Sequence, residues 1–123
     1  MAEILALADE FLVRSLITAP LAADGTHVIE AANGEDALAF VRENLHIDLI
    51  LTDIRMPHLD GFGLALAARR LRPEIALVFM TGYSETVPPP TLRSEKILRK
   101  PFAPEELIAT VQSLMQPLNS SDV

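Results

Sequence analysis

The 123 residues suffice for one compact domain with an ordinary core and leave no room for a second, so any output must pass through partners. Half of the residues are apolar and 22% are charged, which excludes a disordered composition, and a net charge of -7 argues against nonspecific attraction to nucleic acid or an anionic membrane. With no cysteine there is no disulfide, thiol nucleophile or Cys-ligated zinc; with no secretory-type leader and no apolar stretch long enough to span a bilayer, the chain reads as mature, cytoplasmic and dependent on protein partners.

Short apolar runs rich in branched side chains alternate with longer segments of helical period, the pattern of parallel strands covered by helices on both faces. The first strand is expected at residues 3–8. Phe11, Leu12, Ser15, Leu16 and Ala19 then line one face of a first helix, which Pro20 and Gly25 are expected to end. After a strand at 28–31, Asn33 can cap a second helix that buries Ala37, Leu38, Val41 and Leu45, with Glu35 and Asp36 at the positive end of its dipole. A strand at 48–52 leads to a third helix at 62–71 that stops before Pro73, followed by a strand at 76–80. Regular alternation calls for a fourth helix within 84–95, but Pro88-Pro89-Pro90 cannot lie inside one. That segment is expected to be irregular, with at most a short helix on one side of the prolines, few apolar anchors and more mobility than the other connections. A fifth strand at 96–98 precedes a last helix from Pro104 that turns Leu107, Ile108, Val111, Leu114 and Met115 toward the sheet. The domain is expected to cover residues 1–118, with a frayed polar tail at 119–123.

In an open parallel sheet, ligands bind beyond the C-terminal ends of the strands. Asp9 follows the first strand, Asp53 the third, Thr81 the fourth and Lys100 the fifth, so residues distant in sequence meet at one rim. Together they suit phosphoryl transfer. A carboxylate oxygen of Asp53 can attack phosphorus and form an acyl phosphate. Asp9 beside it would repel it unless a hard divalent cation, such as Mg2+, relieved the charge while bridging to phosphoryl oxygens. Thr81 offers a hydroxyl donor and Lys100 a mobile positive charge for those oxygens, and backbone N–H groups at Met56 and Gly82 extend the cradle. Taken singly, Asp53 is a turn residue, Asp9 a helix cap, Thr81 a β-branched strand residue and Lys100 a surface charge; their convergence favours a site.

Through Ala8-Asp9-Glu10, Leu51-Thr52-Asp53-Ile54-Arg55-Met56-Pro57, Asp60-Gly61, Met80-Thr81-Gly82 and Lys100-Pro101-Phe102, the chain resembles the response-regulator receiver family of bacterial two-component signalling over nearly its entire length. The resemblance implies an α/β, flavodoxin-like, doubly wound five-stranded parallel sheet of order 2-1-3-4-5. It makes Asp53 the phosphoacceptor, Thr81 and Lys100 the phosphoryl-binding pair, and Asp9, Asp53 and the backbone carbonyl of Arg55 the ligands of Mg2+. It also implies a cis Lys100-Pro101 bond that aims the lysine inward.

Two departures stand out. The family usually has a second acid where this chain has Ala8, which weakens the expected hold on magnesium, with Glu10 a secondary candidate to replace it. At Ile97 the family often has Tyr or Phe as an aromatic switch; the run Leu77 to Tyr83 is similar to a receiver subgroup with a Phe-Ala-Thr-Gly-Tyr type of motif, in which Tyr83 takes that place. His27, His46 and His58 share no motif spacing and suggest no metal site. The leading reading is a single-domain response regulator that is not an enzyme in the ordinary sense. It takes its phosphoryl group from a sensor histidine kinase or histidine phosphotransfer protein and signals to a downstream protein target. The alternative is a degenerate receiver that works by protein contact. A haloacid-dehalogenase-type phosphatase is disfavoured, because Asp53-Ile54-Arg55 lacks that group's second aspartate two residues on.

Overall fold

The computed structural model describes residues 3–43, 46–56, 58–82 and 87–115. Five strands, β1 (Glu3–Leu7), β2 (His27–Ala31), β3 (Leu49–Asp53), β4 (Ala76–Thr81) and β5 (Lys96–Arg99), form one sheet of order β2-β1-β3-β4-β5 with every pair parallel. Four α-helices connect or follow them: α1 (Phe11–Ala23), α2 (Gly34–Glu43), α3 (Gly61–Leu71) and α4 (Pro104–Met115). The doubly wound, flavodoxin-like reading is therefore correct, including the strand order.

Alternation along each strand divides the core in two. Leu5, Leu7, Ile50, Leu77 and Phe79 face α2 and α3, whereas Ile4, Ala6, Ala8, Leu49, Leu51, Val78 and Met80 face α1 and α4. Central strand β3 is buried at all of its positions, as a strand covered on both faces must be. Local signals set several boundaries. The Asn33 side chain accepts a 2.7 Å hydrogen bond from the Asp36 N–H at the start of α2, and Asp60 accepts one of 2.8 Å from Gly63 at the start of α3. As expected, α4 buries Leu107 and Val111 and packs Ile108, Leu114 and Met115 partly against the sheet.

The expected face of the first helix was wrong, and of its two expected terminators only Gly25, at positive φ just past the Asp24 C-cap, is borne out. Phe11, Leu12 and Leu16 are 66%, 76% and 74% exposed, and the buried residues are Ile17 and Leu21, with Val13 half-buried beside them. The sequence of α1 is apolar on more than one side, so two stripes compete, and the stripe at 13, 17 and 21 is the one that meets the sheet. Nor does Pro20 end the helix, which continues to Ala23. An interior proline costs about 3 kcal/mol, but stopping there would forfeit burial of Leu21, worth about 1.5–3 kcal/mol, together with the final turn closed by the Asp24 N–H on the Pro20 carbonyl.

In the fourth connection the only helical structure among the described residues is a single 3-10 turn at Pro90–Leu92, which takes the last proline of the run as its first residue, where the expectation had any short helix lie clear of the prolines. The expectation of weak apolar anchoring fails at Leu92, which is buried in the core, and an Arg69–Glu95 ion pair of 3.1 Å also ties this region to α3. Leu45, Pro57, Tyr83, residues 84–86 and the tail at 119–123 lie outside the described residues.

Candidate functional site

The C-terminal ends of β1, β3, β4 and β5 bring the sequence-identified residues to one rim. Asp53 is the last residue of β3, and the Ile54 N–H bonds to the Met80 carbonyl at 3.2 Å, which keeps β3 and β4 in register up to the site. Thr81 ends β4 and is buried, and its carbonyl accepts a 2.8 Å hydrogen bond from the Lys100 N–H just beyond β5. The Lys100-Pro101 peptide is cis, as the resemblance implied. Lys100 Nζ lies 2.6 Å from Asp53 Oδ1, a direct ion pair between a half-exposed ammonium and a buried carboxylate. Asp9 and Glu10 occupy the short link between β1 and α1, both exposed, and Glu10 rather than Asp9 is the N-cap residue of α1, with no capping bond from its side chain. Arg55 stands two residues past Asp53 with its side chain exposed.

Opposing influences act on the Asp53 carboxyl. Burial raises its pKa, Lys100 lowers it through their hydrogen bond and charge, and the charges of Asp9 and Glu10 raise it again. The balance leaves Asp53 above the ordinary carboxylate value of 3.8. Glu10 therefore belongs to the electrostatic surroundings of Asp53 together with Asp9. Among the described residues, no three acidic or histidine side chains converge closely enough to hold a metal by themselves. The hard oxygen donors still suit Mg2+ in type, since that ion commonly takes one or two carboxylates and fills its shell with carbonyl oxygen and water.

Two supports around Asp53 were not identified from the sequence. Thr52 is fully buried and its hydroxyl donates a 2.8 Å bond to the Asp53 carbonyl. Gly61 packs at the start of α3 against the backbone of Asp53 and Ile54, and its N–H donates to the Ile54 carbonyl at 2.8 Å. A Cβ there would collide with the Asp53 carbonyl oxygen and come within 2.9 Å of Ile54 Cα. Gly61→Ala is accordingly expected to cost about 1–3 kcal/mol of stability through overpacking and to shift the Asp53 amide resonance. Denaturant unfolding with amide spectra checks this; wild-type stability would contradict the close approach.

Comparison with known proteins gives this geometry its family. The profile described as response regulator receiver domain matches residues 4–112. The chain belongs to the receiver domain family. One relative, the response regulator receiver protein CpdR of Brucella abortus (strain 2308), is 31% identical over 118 residues, which cover 94% of this chain and 98% of the relative. Another, the probable transcriptional regulator ycf27 of Porphyridium aerugineum, is 31% identical over 121 residues, 97% of this chain, and the chain spans only 50% of that longer relative. Among solved structures, the chemotaxis protein CheY4 of Vibrio cholerae matches with a TM-score of 0.81 at 30% identity, covering 93% of this chain and 98% of that one. The receiver therefore resembles both a protein of about its own length and the matching half of a longer one. No helix among the described residues is long and apolar enough to cross a membrane.

Proposed function

We propose that this receiver accepts a phosphoryl group on Asp53 from a phosphohistidine and passes the signal on through protein contacts. The observation that carries the reading is the buried Asp53 carboxylate in direct contact with Lys100 at the strand-end rim, with Thr81 and Asp9 at the neighbouring strand ends. An Asp53 oxygen attacks phosphorus, an O–P bond forms as the N–P bond of the phosphohistidine breaks, and the imidazole leaves with the donor protein. Lys100 pairs with Asp53 before transfer and is placed to follow the negative charge onto a phosphoryl oxygen, while the Thr81 hydroxyl donates to another. Asp9, Asp53 and the Arg55 carbonyl would hold Mg2+, with Glu10 contributing through charge; the ion supplies neutralisation of the clustered carboxylates and of the phosphoryl oxygens.

Receiver domains pair with histidine kinases, so a sensor histidine kinase or a histidine phosphotransfer protein is the proposed donor, and the next partner is a protein. The exposed Phe11, Leu12 and Leu16 on α1 support a protein donor, because they begin two residues beyond Asp9 and continue to the groove lined by Val13, Leu16, Pro101 and Phe102 beside Lys100. The proposed setting is the cytoplasm, and a stand-alone role follows the likeness to CpdR.

Intact mass after incubation with Mg2+ and acetyl phosphate tests the reading. A gain of one phosphoryl group, mapped to Asp53 after borohydride trapping, is expected; stable modification elsewhere with Asp53 untouched would reject the assignment. The second reading, a degenerate receiver that works by contact alone, is favoured by Ala8, whose methyl is fully buried on the face shared with Leu49 and Leu51. It predicts no mass gain from either a small donor or a kinase.

Ala8 also supports a quantitative expectation. The parallel register ends at Leu7↔Thr52, and extending it by one step would set Ala8 beside Asp53. Ala8→Asp should therefore add a carboxylate next to the acceptor and tighten Mg2+ binding about tenfold through a further acceptor for metal-bound water. In chelator the same variant should lose about 1–3 kcal/mol, the cost of burying a poorly paired polar group. Calorimetric titration and thermal melts with and without magnesium report both effects. Unchanged affinity would show that position 8 is not the vacant acidic position.

A further inference from the structure

Resting on the proposed role of Asp53 and its acidic neighbours, we infer that Arg14 is a positioning residue that clamps the Ala8 carbonyl to Glu30 and so sets where Asp9 and Glu10 stand relative to Asp53. The β1 ladder ends at Leu7, paired with Ala31 and Thr52, and α1 starts at Phe11, so residues 8–10 alone bridge strand and helix. This bridge carries both acidic residues whose charges act on Asp53. Its first carbonyl, that of Ala8, accepts a 2.8 Å hydrogen bond from an Arg14 terminal nitrogen. The same guanidinium reaches Glu30 on β2 through Nε at 3.4 Å and lies 5.8 Å from the Phe11 ring centroid.

One planar group thus joins the end of β1, the edge strand and the first turn of α1. The Arg14 side chain is only 15% exposed, which partly shields its bond to the Ala8 carbonyl from competition by water, while the Glu30 carboxylate remains open to solvent. Arginine suits the position because its donors form a rigid fork that can serve a carbonyl and a carboxylate together, whereas a lysine presents a single ammonium. Where a receiver usually has an acid at position 8, this chain has a methyl group, so the remaining acids depend more heavily on how their short link is held.

A positioning role and a simple charge effect differ in sign. Arg14 is a cation close to a proposed cation site; acting only through space, its removal would strengthen Mg2+ binding. Acting through the Ala8 carbonyl, its removal should loosen the link and weaken Mg2+ binding about tenfold, within the range typical for residues that orient metal ligands. The experiment compares parent, Arg14→Gln, Arg14→Lys and Glu30→Gln. Backbone order parameters are measured in chelator and Mg2+ affinity by calorimetry, using the intact chain.

In Arg14→Gln, order parameters at Asp9 and Glu10 should fall from the rigid range near about 0.85 toward about 0.6, with those at Val78 and Phe79 unchanged. Arg14→Lys should restore part of both the order and the affinity, and Glu30→Gln, which keeps a neutral acceptor, should show a smaller loss. Unchanged order at Asp9 and Glu10, or tighter magnesium binding in Arg14→Gln, would overturn the inference. If Arg14→Gln does not fold, the graded comparison of Arg14→Lys and Glu30→Gln decides by the same criteria. A parent that binds no magnesium or takes up no phosphoryl group refutes the functional reading separately, because the metal-free measurement does not depend on it.

Discussion

Asp53→Asn is expected to abolish phosphoryl uptake from acetyl phosphate and from any cognate kinase, because an amide is a poor nucleophile of almost the same shape. The same substitution should make the domain more stable at neutral pH. The folded-state pKa of Asp53 lies above 3.8, mainly through burial, so the folded protein holds this proton more tightly than the unfolded chain does. At pH below the unfolded value both states are protonated and the group exerts no penalty. As pH rises from there through the folded value, the unfolded chain ionises more easily, so the parent loses stability until Asp53 is ionised in both states. Asparagine removes that dependence. The stability difference between Asp53→Asn and parent should therefore be smallest in acid, grow as pH rises, and level off above the folded pKa. Denaturant unfolding across pH measures the difference, and a parent that instead gains stability from Asp53 ionisation would show that the Lys100 contact outweighs burial.

Lys100→Ala is expected to lower the rate of phosphoryl transfer by about 100- to 1000-fold, the usual consequence of removing one preorganised group from a site of developing negative charge. Nζ of Lys100 is the nearest identified cation to the acceptor, at 2.6 Å from Asp53 Oδ1, and it is the one cause that lowers the carboxyl pKa. Without it, burial and the charges of Asp9 and Glu10 remain, and all of them raise the pKa further. Since attack requires the ionised carboxylate, the acid limb of the pH–rate profile should move to higher pH in the variant. Stopped-flow or mass-based rates with acetyl phosphate across pH check both the loss and the direction. A normal rate with an unmoved acid limb would remove Lys100 from the mechanism. Lys100→Arg, which retains charge with a different shape, separates the electrostatic role from exact placement: recovery of the pH profile without recovery of rate is expected.

By itself the sequence determined the parallel sheet and the rim, and its resemblance to the receiver family implied the strand order. Strands buried on both faces must be apolar throughout, as Leu49 to Leu51 are, and polar residues directly after such runs have to emerge at the strand ends, which locates Asp9, Asp53, Thr81 and Lys100. The helix cap at Asn33 was equally legible, because its hydrogen bond is local, whereas the Asp60 cap of α3 was identified only in the structure. Tertiary structure decided what local chemistry leaves open. In α1 the stripes beginning at Phe11 or Leu12 and at Val13 are both apolar, and only the approach of the sheet selects Ile17 and Leu21 for burial, exposing Phe11, Leu12 and Leu16. Pro20 looked like a terminator since its penalty is visible in sequence, whereas the compensating burial of Leu21 is not. The need for glycine at 61 arises from a backbone on another element, and the clamp of Arg14 joins Ala8 to Glu30 across two strands. Such contacts depend on distances between segments far apart in the chain, which no periodicity or spacing in a single sequence records.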